Sequence, residues 1–195
     1  MHDYYNHLIL GQLHKINNND VFYYLRSRIC DRLEAFRTSK LTRLVLPVSQ
    51  EAGATTSVFT HQDFSPRNIL VSDSAQGLTV TGILDFEFAG FFPSSEEYLN
   101  CIARQESDWE GSIFSLLLAK LEEQRISTPA KSMNSAGFLN ACDLVKMVEH
   151  SAPWWLEDGH VQGGELELQL AQACKTVEEL LERLEGSVST NDELS

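Results

Sequence analysis

The sequence predicts one α+β domain that is mostly helical and contains very little sheet. Its 195 residues are 43% apolar, which is enough for one substantial core. Apolar residues recur at helical spacing on both sides of a short central segment. That segment, residues 58–90, instead alternates short apolar runs with polar clusters, as strands joined by turns do. The predicted order is therefore two helices, one β-hairpin and four further helices.

Two amphipathic helices are predicted before the central segment. The apolar face of the first consists of Tyr5, Ile9, Leu13 and Ile16. Three consecutive asparagines, 17–19, end this helix, and Asp20 begins the second. The apolar face of the second consists of Phe22, Leu25, Ile29, Leu33 and Phe36. Residues 40–57 contain Pro47, Gly53 and a Ser/Thr cluster, so they are predicted to form a loop.

The central segment predicts a hairpin with polar residues gathered at one end. Residues 69–71 form a short apolar strand, residues 72–77 are rich in Asp, Ser and Gly as turns are, and residues 78–84 return as a second strand. Asn68 then lies at the entrance of the hairpin and Asp85 at its exit, while Asp63 lies on the loop just before it. We expect these three side chains to lie close together.

Helix-start signals mark three of the four helices that follow. They are two capping boxes and one Thr-Pro pair, namely Ser94 with Glu97, Ser107 with Glu110, and Thr128 with Pro129. The second of these helices is predicted to bury Ile113, Leu116, Leu117 and Leu121. A long final helix is marked by leucines and a valine between residues 166 and 184. The predicted domain is residues 1–186, and residues 187–195 are predicted to be a flexible tail.

The composition limits which binding partners and which cellular compartment are expected. The net charge is −13, and residues 69–195 carry most of the acidic excess, so nucleic acid is not an expected partner. The same charge would attract a small cationic substrate, although the acids would equally serve to keep helices soluble. The sequence contains no run of 18 apolar residues, so no membrane span is predicted, and no secretory signal is recognisable at Met1. The four cysteines are widely spaced, as reduced thiols of a cytoplasmic protein would be.

The residues at the end of the hairpin suit phosphoryl transfer to a hydroxyl. This reaction needs a carboxylate that accepts the proton of the hydroxyl, and oxygen ligands for a divalent cation that bridges the phosphates. Asp63 suits the first role, whereas Asn68 and Asp85 suit the second. Taken singly, each has an ordinary alternative, because Asp63 could cap a loop and Asn68 could form a turn.

Two motifs carry a resemblance to a known family. The segment His61-Gln62-Asp63-Phe64-Ser65-Pro66-Arg67-Asn68, followed by Leu84-Asp85-Phe86-Glu87, resembles the catalytic loop and metal-binding segment of protein kinases. It is closer to the His-Gly-Asp-Leu-x-x-x-Asn and Ile-Asp-Trp-Glu motifs of the aminoglycoside phosphotransferase family. The continuation, residues 88–93, resembles fungal members. The resemblance covers roughly residues 58–100 and implies the C-terminal lobe of a protein-kinase-like fold.

The resemblance also implies roles for individual residues. Asp63 would be the catalytic base, and Asn68 and Asp85 would bind Mg²⁺ and ATP. Glu87 falls on a position that is acidic in many relatives, where it would bind a second metal or a metal-bound water. His61 would orient the loop. Gln62 replaces the usual glycine, and Arg67 would either meet a phosphate or form a structural ion pair.

The N-terminal lobe of such kinases is not recognisable in the sequence. Neither G-x-G-x-x-G nor G-x-x-x-x-G-K-[ST] occurs, and the residues before His61 predict helices and a loop. Three interpretations remain open. The chain is a small-molecule kinase whose recorded sequence is shortened, a catalytically inactive kinase-like binding or scaffold module, or a metal-dependent hydrolase that reuses the carboxylates.

Overall fold

The computed structural model describes residues 2–44, 57–75, 77–93, 96, 98, 99, 111–126, 128 and 136–192. The α-helices in these ranges are α1 (His2–Asn18), α2 (Tyr23–Ser39), α3 (Gly111–Glu123), α4 (Ala136–Ser151) and α5 (Gly163–Asp192). The strands are β1 (Ser57–Thr60), β2 (Ile69–Ser74), β3 (Gly77–Ile83) and β4 (Gly90–Pro93). Short 3₁₀ helices span Asp20–Phe22, Pro66–Asn68 and Trp154–Leu156. The prediction of a mostly helical α+β fold is confirmed.

Four helices build the hydrophobic core. Helix α1 contacts α2 and α4, and α5 contacts α2 and α4, so each of the four packs against two others. The apolar faces predicted for the first two helices are buried in full. The core is completed from α4 and α5 by Leu144, Met147, Val177, Leu181 and Leu184. The 3.6-residue period therefore identified the buried faces correctly where the helices are long.

The predicted break between the first two helices lies where expected. Helix α1 ends at Asn18, and the side-chain Oδ1 of Asn19 accepts a hydrogen bond from the backbone N–H of Val21 at 3.0 Å. This bond caps the 3₁₀ turn that starts at Asp20, so the second helix begins as a tight turn and becomes regular at Tyr23. A short polar side chain that satisfies the first free N–H groups is the physical reason for the break.

The strands form two separate antiparallel pairs, β1 with β4 and β2 with β3. The β2–β3 hairpin was predicted, but β2 is longer than expected, since Ser72 pairs with Thr79 and Ser74 with Gly77. Polar residues are accepted there because nearly every hairpin side chain is exposed. The β1–β4 pair was not predicted. It connects the segments on either side of the hairpin and so closes its base.

Three element predictions need correction. The predicted loop 40–57 begins with a helical turn at 41–44, because Leu41 and Leu44 enter the core. Helix α3 buries Phe114 and Leu118, whereas the predicted Leu116 is 58% exposed. Helix α5 continues through Asp192, beyond the predicted end at 186, and its Val188 is buried. The helix starts predicted at 94–97, 107–110 and 128–129 fall wholly or partly outside the described residues.

The described helices include none that is long and apolar enough to cross a membrane.

Candidate functional site

His61 connects the two halves of the predicted motif. It follows strand β1 and is only 7% exposed. Its ring nitrogen Nε2 lies 2.8 Å from the carbonyl oxygen of Leu84. Because a carbonyl only accepts, Nε2 carries the proton and donates it to this bond. The ring also packs against Phe86, with the two centroids 4.7 Å apart. The bond ties the loop before the hairpin to the segment after it, which is the orienting role that the sequence suggested.

Asn68 holds Asp63 through two hydrogen bonds. Its amide nitrogen Nδ2 donates to the backbone oxygen of Asp63 at 2.9 Å and to the carboxylate Oδ2 at 3.1 Å. The 3₁₀ turn Pro66–Asn68 makes this contact possible, and the backbone N–H of Asn68 closes it onto the carbonyl of Ser65 at 3.0 Å. Asn68 is buried at 5% exposure. Since Nδ2 is occupied by its hydrogen bonds to Asp63, the side-chain carbonyl Oδ1 is the atom that remains for a ligand. No described residue donates a hydrogen bond to this oxygen.

Asp85 is brought next to Asn68 by the backbone. The N–H of Leu84 donates to the carbonyl of Asn68 at 2.8 Å, one step beyond the last paired residues of the hairpin, Ile69 and Ile83. Asp85 itself has φ +65°, in the left-handed region, and its side chain is exposed. The carboxylate makes no hydrogen bond or ion pair with the described part of the chain. The hairpin end thus presents an amide oxygen and an exposed carboxylate on adjacent backbone.

Arg67 forms an ion pair with the predicted base. Its Nη2 lies 2.8 Å from Oδ1 and 2.7 Å from Oδ2 of Asp63. The Asp63 side chain is 10% exposed and that of Arg67 is 50% exposed. Of the two roles that the sequence left open for Arg67, the structure shows the ion pair. Together with Asn68, this pair fixes the orientation of the carboxylate.

Glu87 makes no hydrogen bond or ion pair with the other predicted site residues among those that the structure describes. It lies exposed in the turn after Asp85. More generally, the described residues contain no cluster of three or more His, Cys, Asp or Glu that could hold a metal ion. A cation at this place would therefore have one carboxylate and one amide from the protein, and it would need oxygen atoms from a bound ligand.

A cavity of about 240 Å³ lies beside the loop, and Gln62, the neighbour of Asp63, forms part of its wall. Its other polar lining residues are Gln12, Glu96 and Glu149. Glu96 is 2% exposed and accepts hydrogen bonds from the hydroxyls of Tyr4 at 3.1 Å and Tyr5 at 2.7 Å. Burial raises the pKa of Glu96 above its usual value. Burial, together with the nearby Glu96, also raises the pKa of both phenols.

Sequence reasoning missed both Glu96 and Gln12. Tyr5 was correctly assigned to the core, but its hydroxyl needs a partner, and this partner is 91 positions away in the chain. Periodicity identifies faces of helices and carries no signal for such a contact. The one available hint was general, since a buried tyrosine hydroxyl usually finds a hydrogen-bond partner.

Comparison with known proteins adds one match. The family model described as the phosphotransferase enzyme family matches residues 9–124, which is more than half of the chain. The matched range runs from within α1 through the loop, the hairpin and Asp85. No curated protein and no solved structure matches the chain significantly.

Proposed function

Because the chain belongs to the phosphotransferase enzyme family, we propose that it is the acceptor-binding and catalytic lobe of a small-molecule kinase. This lobe would transfer the γ-phosphate of ATP to a hydroxyl of a small substrate. The observation that carries the proposal is the linkage of Asp63, Asn68 and Asp85. Asn68 donates to the carboxylate of Asp63, and its backbone carbonyl accepts from the residue just before Asp85.

The protein atoms at the hairpin end suit Mg²⁺. This cation prefers oxygen ligands and is commonly held by one or two protein groups together with phosphate oxygens and water. Asn68 offers its Oδ1, since Nδ2 is occupied by Asp63, and Asp85 offers an exposed carboxylate. Mg²⁺ would supply positive charge against the phosphate oxygens. Glu87 is not counted among these cation ligands, because it lies exposed in the next turn.

Asp63 would be the base. Its carboxylate is held in place from two sides, by Arg67 and by Asn68, so its orientation is fixed before a substrate arrives. A carboxylate so oriented can accept the proton of an incoming hydroxyl as the oxygen attacks the phosphate. Arg67 would serve as a positioning residue for this carboxylate.

The described elements fit the C-terminal lobe of a protein-kinase-like fold, with helices α1 and α2 before the loop and the hairpin between loop and Asp85. Phosphoryl transfer also requires groups that anchor the triphosphate, which in kinases come from a separate lobe.

A binding or scaffold module is the second candidate. It is favoured by the exposed apolar side chains concentrated on the strands and on the segment after them, namely Val58, Phe59, Leu70, Val71, Leu78, Val80, Ile83, Leu84, Phe86, Phe88 and Phe91. Large exposed apolar patches commonly mark an interaction site. This candidate needs no bound nucleotide.

Nucleotide binding discriminates between the two candidates. ATP would be titrated into the 195-residue chain by calorimetry, with and without Mg²⁺. The kinase proposal predicts Mg²⁺-dependent binding that is weakened by at least about 10–100-fold by Asp85→Ala, since the loss of a group that only supports a metal ligand already costs this much. Asp73→Ala on strand β2, which also removes an exposed aspartate, is the matched control and should leave binding unchanged. If ATP does not bind in the presence of Mg²⁺, the scaffold function is favoured.

A further inference from the structure

Arg67 occupies the carboxylate that the proposed reaction needs as its base. Its Nη2 donates to both oxygens of Asp63, at 2.8 Å and 2.7 Å. We propose that Arg67 exchanges partners: it leaves Asp63 for a phosphate oxygen when Mg²⁺ and a triphosphate bind at Asn68 and Asp85, and the carboxylate then receives the acceptor hydroxyl. This exchange rests on the proposed phosphotransferase function, which assigns the base and the cation ligands.

The guanidinium and an acceptor hydroxyl compete for the same two oxygens. The Asp63 side chain is only 10% exposed, Oδ1 accepts from Arg67, and Oδ2 accepts from both Arg67 and Asn68. A carboxylate offers about four lone-pair positions, and these bonds take three of them. A hydroxyl that is to give up its proton must itself donate to one of these oxygens, at about 2.6–3.2 Å. The base is therefore better prepared for the hydroxyl once Arg67 has left.

Asn68 keeps Asp63 in place when Arg67 leaves. Its Nδ2 donates to the backbone oxygen of Asp63 at 2.9 Å and to Oδ2 at 3.1 Å, and Asn68 is itself buried. The ion pair is easier to break. A single nitrogen of Arg67 serves both oxygens, in place of the two parallel bonds of a fork, and half of the Arg67 side chain is exposed to water. An ion pair whose cation is so exposed contributes modestly to stability.

Arg67 is also the cation that this part of the chain can offer to a phosphate. It is the only lysine or arginine between residues 44 and 103, a stretch that includes the loop, the hairpin and the segment after it. The described charged residues that follow it in this stretch are acidic, namely Asp73, Asp85, Glu87 and Glu96. Their carboxylates would repel a triphosphate. A guanidinium attracts phosphate oxygens and can bind them with two N–H groups at once.

The exchange needs only a movement of one side chain. Arg67 and Asn68 are neighbours in the 3₁₀ turn Pro66–Asn68, and the carbonyl of Asn68 accepts from the N–H of Leu84 at 2.8 Å, next to Asp85. Arg67 therefore lies on backbone that is connected to both proposed cation ligands. Rotation about its side-chain bonds changes its partner while this backbone stays in place. The base then becomes available only after the phosphate donor has bound.

The exchange is tested on the guanidinium itself. The probe is inorganic tripolyphosphate with Mg²⁺, which has the phosphate chain of ATP without the nucleoside. It would be titrated into the full chain while arginine side chains are observed by ¹⁵N NMR, with the Arg67 signal assigned from Arg67→Lys. We expect this signal to shift. Arg183 is the matched control and should not respond, since it is similarly exposed and pairs with Asp143 through Nε and Nη2, each at 2.9 Å.

Asp63→Asn distinguishes an exchange from the mere approach of an anion. Before the probe is added, the Arg67 signal should differ between the wild type and Asp63→Asn, because only the wild type has a carboxylate at this position. With the probe bound, the two signals should nearly coincide, because Arg67 has left residue 63 in both proteins. Signals that still differ as much as before would show that Arg67 remains on Asp63 and would overturn the proposal.

Further variants locate the phosphate. Asp85→Ala should abolish the Arg67 shift at a probe concentration that saturates the wild type, whereas Asp73→Ala should preserve it. A shift that survives Asp85→Ala would mean adventitious anion binding to an exposed arginine and would overturn the proposal. Arg67→Gln should weaken binding of the probe about tenfold, as loss of a hydrogen bond to a charged group does, and Arg183→Gln should leave it unchanged. Unchanged affinity in Arg67→Gln would also contradict the exchange.

These outcomes are separable from a failure of the proposed function. If ATP binds with Mg²⁺ but neither ATP nor tripolyphosphate moves the Arg67 signal, the exchange is overturned and the kinase function is retained. If tripolyphosphate moves the signal in a chain that binds no ATP, the exchange is retained and the phosphotransferase function is overturned. Binding of neither would overturn both.

Discussion

At Gln62 the backbone adopts a conformation that most residues avoid. Its φ is +67°, in the left-handed region, where side chains other than glycine are strained. The family motif that this loop resembles has glycine at this position. The side chain partly offsets the strain, because its Nε2 donates to the hydroxyl of Thr60 at 2.9 Å. The loop thus keeps its path to Asp63 without the usual glycine.

A pair of substitutions tests this strain. Gln62→Gly and Gln62→Ala both lose the bond to Thr60, but only glycine is relaxed at this φ. We expect Gln62→Gly to be more stable than Gln62→Ala by about 1 kcal/mol. Urea unfolding measures the difference. Exposed Gln172 of helix α5 is the control, where the order should reverse, with alanine more stable than glycine by about 1 kcal/mol. The same order at both positions would contradict the strain.

Glu96 should make stability depend on pH. Burial raises its pKa in the folded protein above the usual 4.5, so the folded state binds this proton more tightly than the unfolded chain. The contribution of Glu96 is therefore most favourable below the unfolded pKa and declines as pH rises through the folded pKa. Relative to Glu96→Gln, the free energy of unfolding of the wild type should fall as the pH is raised from about 4 towards neutrality.

Urea unfolding at a series of pH values measures this difference. Glu167→Gln, at an exposed position of α5, serves as the control and should run parallel to the wild type. Parallel curves for Glu96→Gln would show that the buried carboxylate does not titrate abnormally.

Among the elements, the hairpin and the helices differ in how far neighbouring elements stabilise them. Among the described residues, strands β2 and β3 pair only with each other, and nearly all of their side chains are exposed. A two-stranded hairpin alone is marginal in water. Helices α2 and α5, by contrast, pack together through buried side chains and through the ion pair of Arg32 with Glu185 at 2.7 Å. The site is thus built on the less stable element and anchored by His61 and Asn68.

Hydrogen exchange should reveal this difference. We expect the backbone amides of β2 and β3 to exchange through local opening, at free energies well below that of global unfolding. Amides in the middle of α2 and α5 should exchange only on global unfolding. NMR-detected exchange under native conditions measures both. Equal protection of the hairpin and the two helices would show that something further supports the hairpin.

On the scale of the whole molecule, stability resides in the helical core. Leu181 of helix α5 is fully buried, whereas Leu168 on the same helix is 70% exposed. We expect Leu181→Ala to lower the free energy of unfolding by about 2–5 kcal/mol, since it removes apolar contacts and leaves a cavity. Leu168→Ala should change it by less than about 0.5 kcal/mol. Chemical denaturation compares them, and similar losses would mean that the core has been misplaced.

The sequence alone determined the buried faces of α1 and α2, the hairpin and the grouping of Asp63 with Asn68. These features follow from local patterns, because a helix repeats every 3.6 residues and a polar loop next to a strand places its ends nearby. The family follows from the same local motifs. In α3, where the pattern was short, the prediction included Leu116, which is exposed, and missed the buried Phe114 and Leu118.

Only the tertiary structure decided the remaining features. The pairing of β1 with β4, the bond from His61 to Leu84 and the contact of Tyr5 with Glu96 join residues that are far apart in the chain. So does the cavity beside Gln62, whose wall combines α1, α4 and the segment after the hairpin. Such contacts depend on how the helices pack against each other. Packing is a property of the assembled core, and no local period in the sequence encodes it.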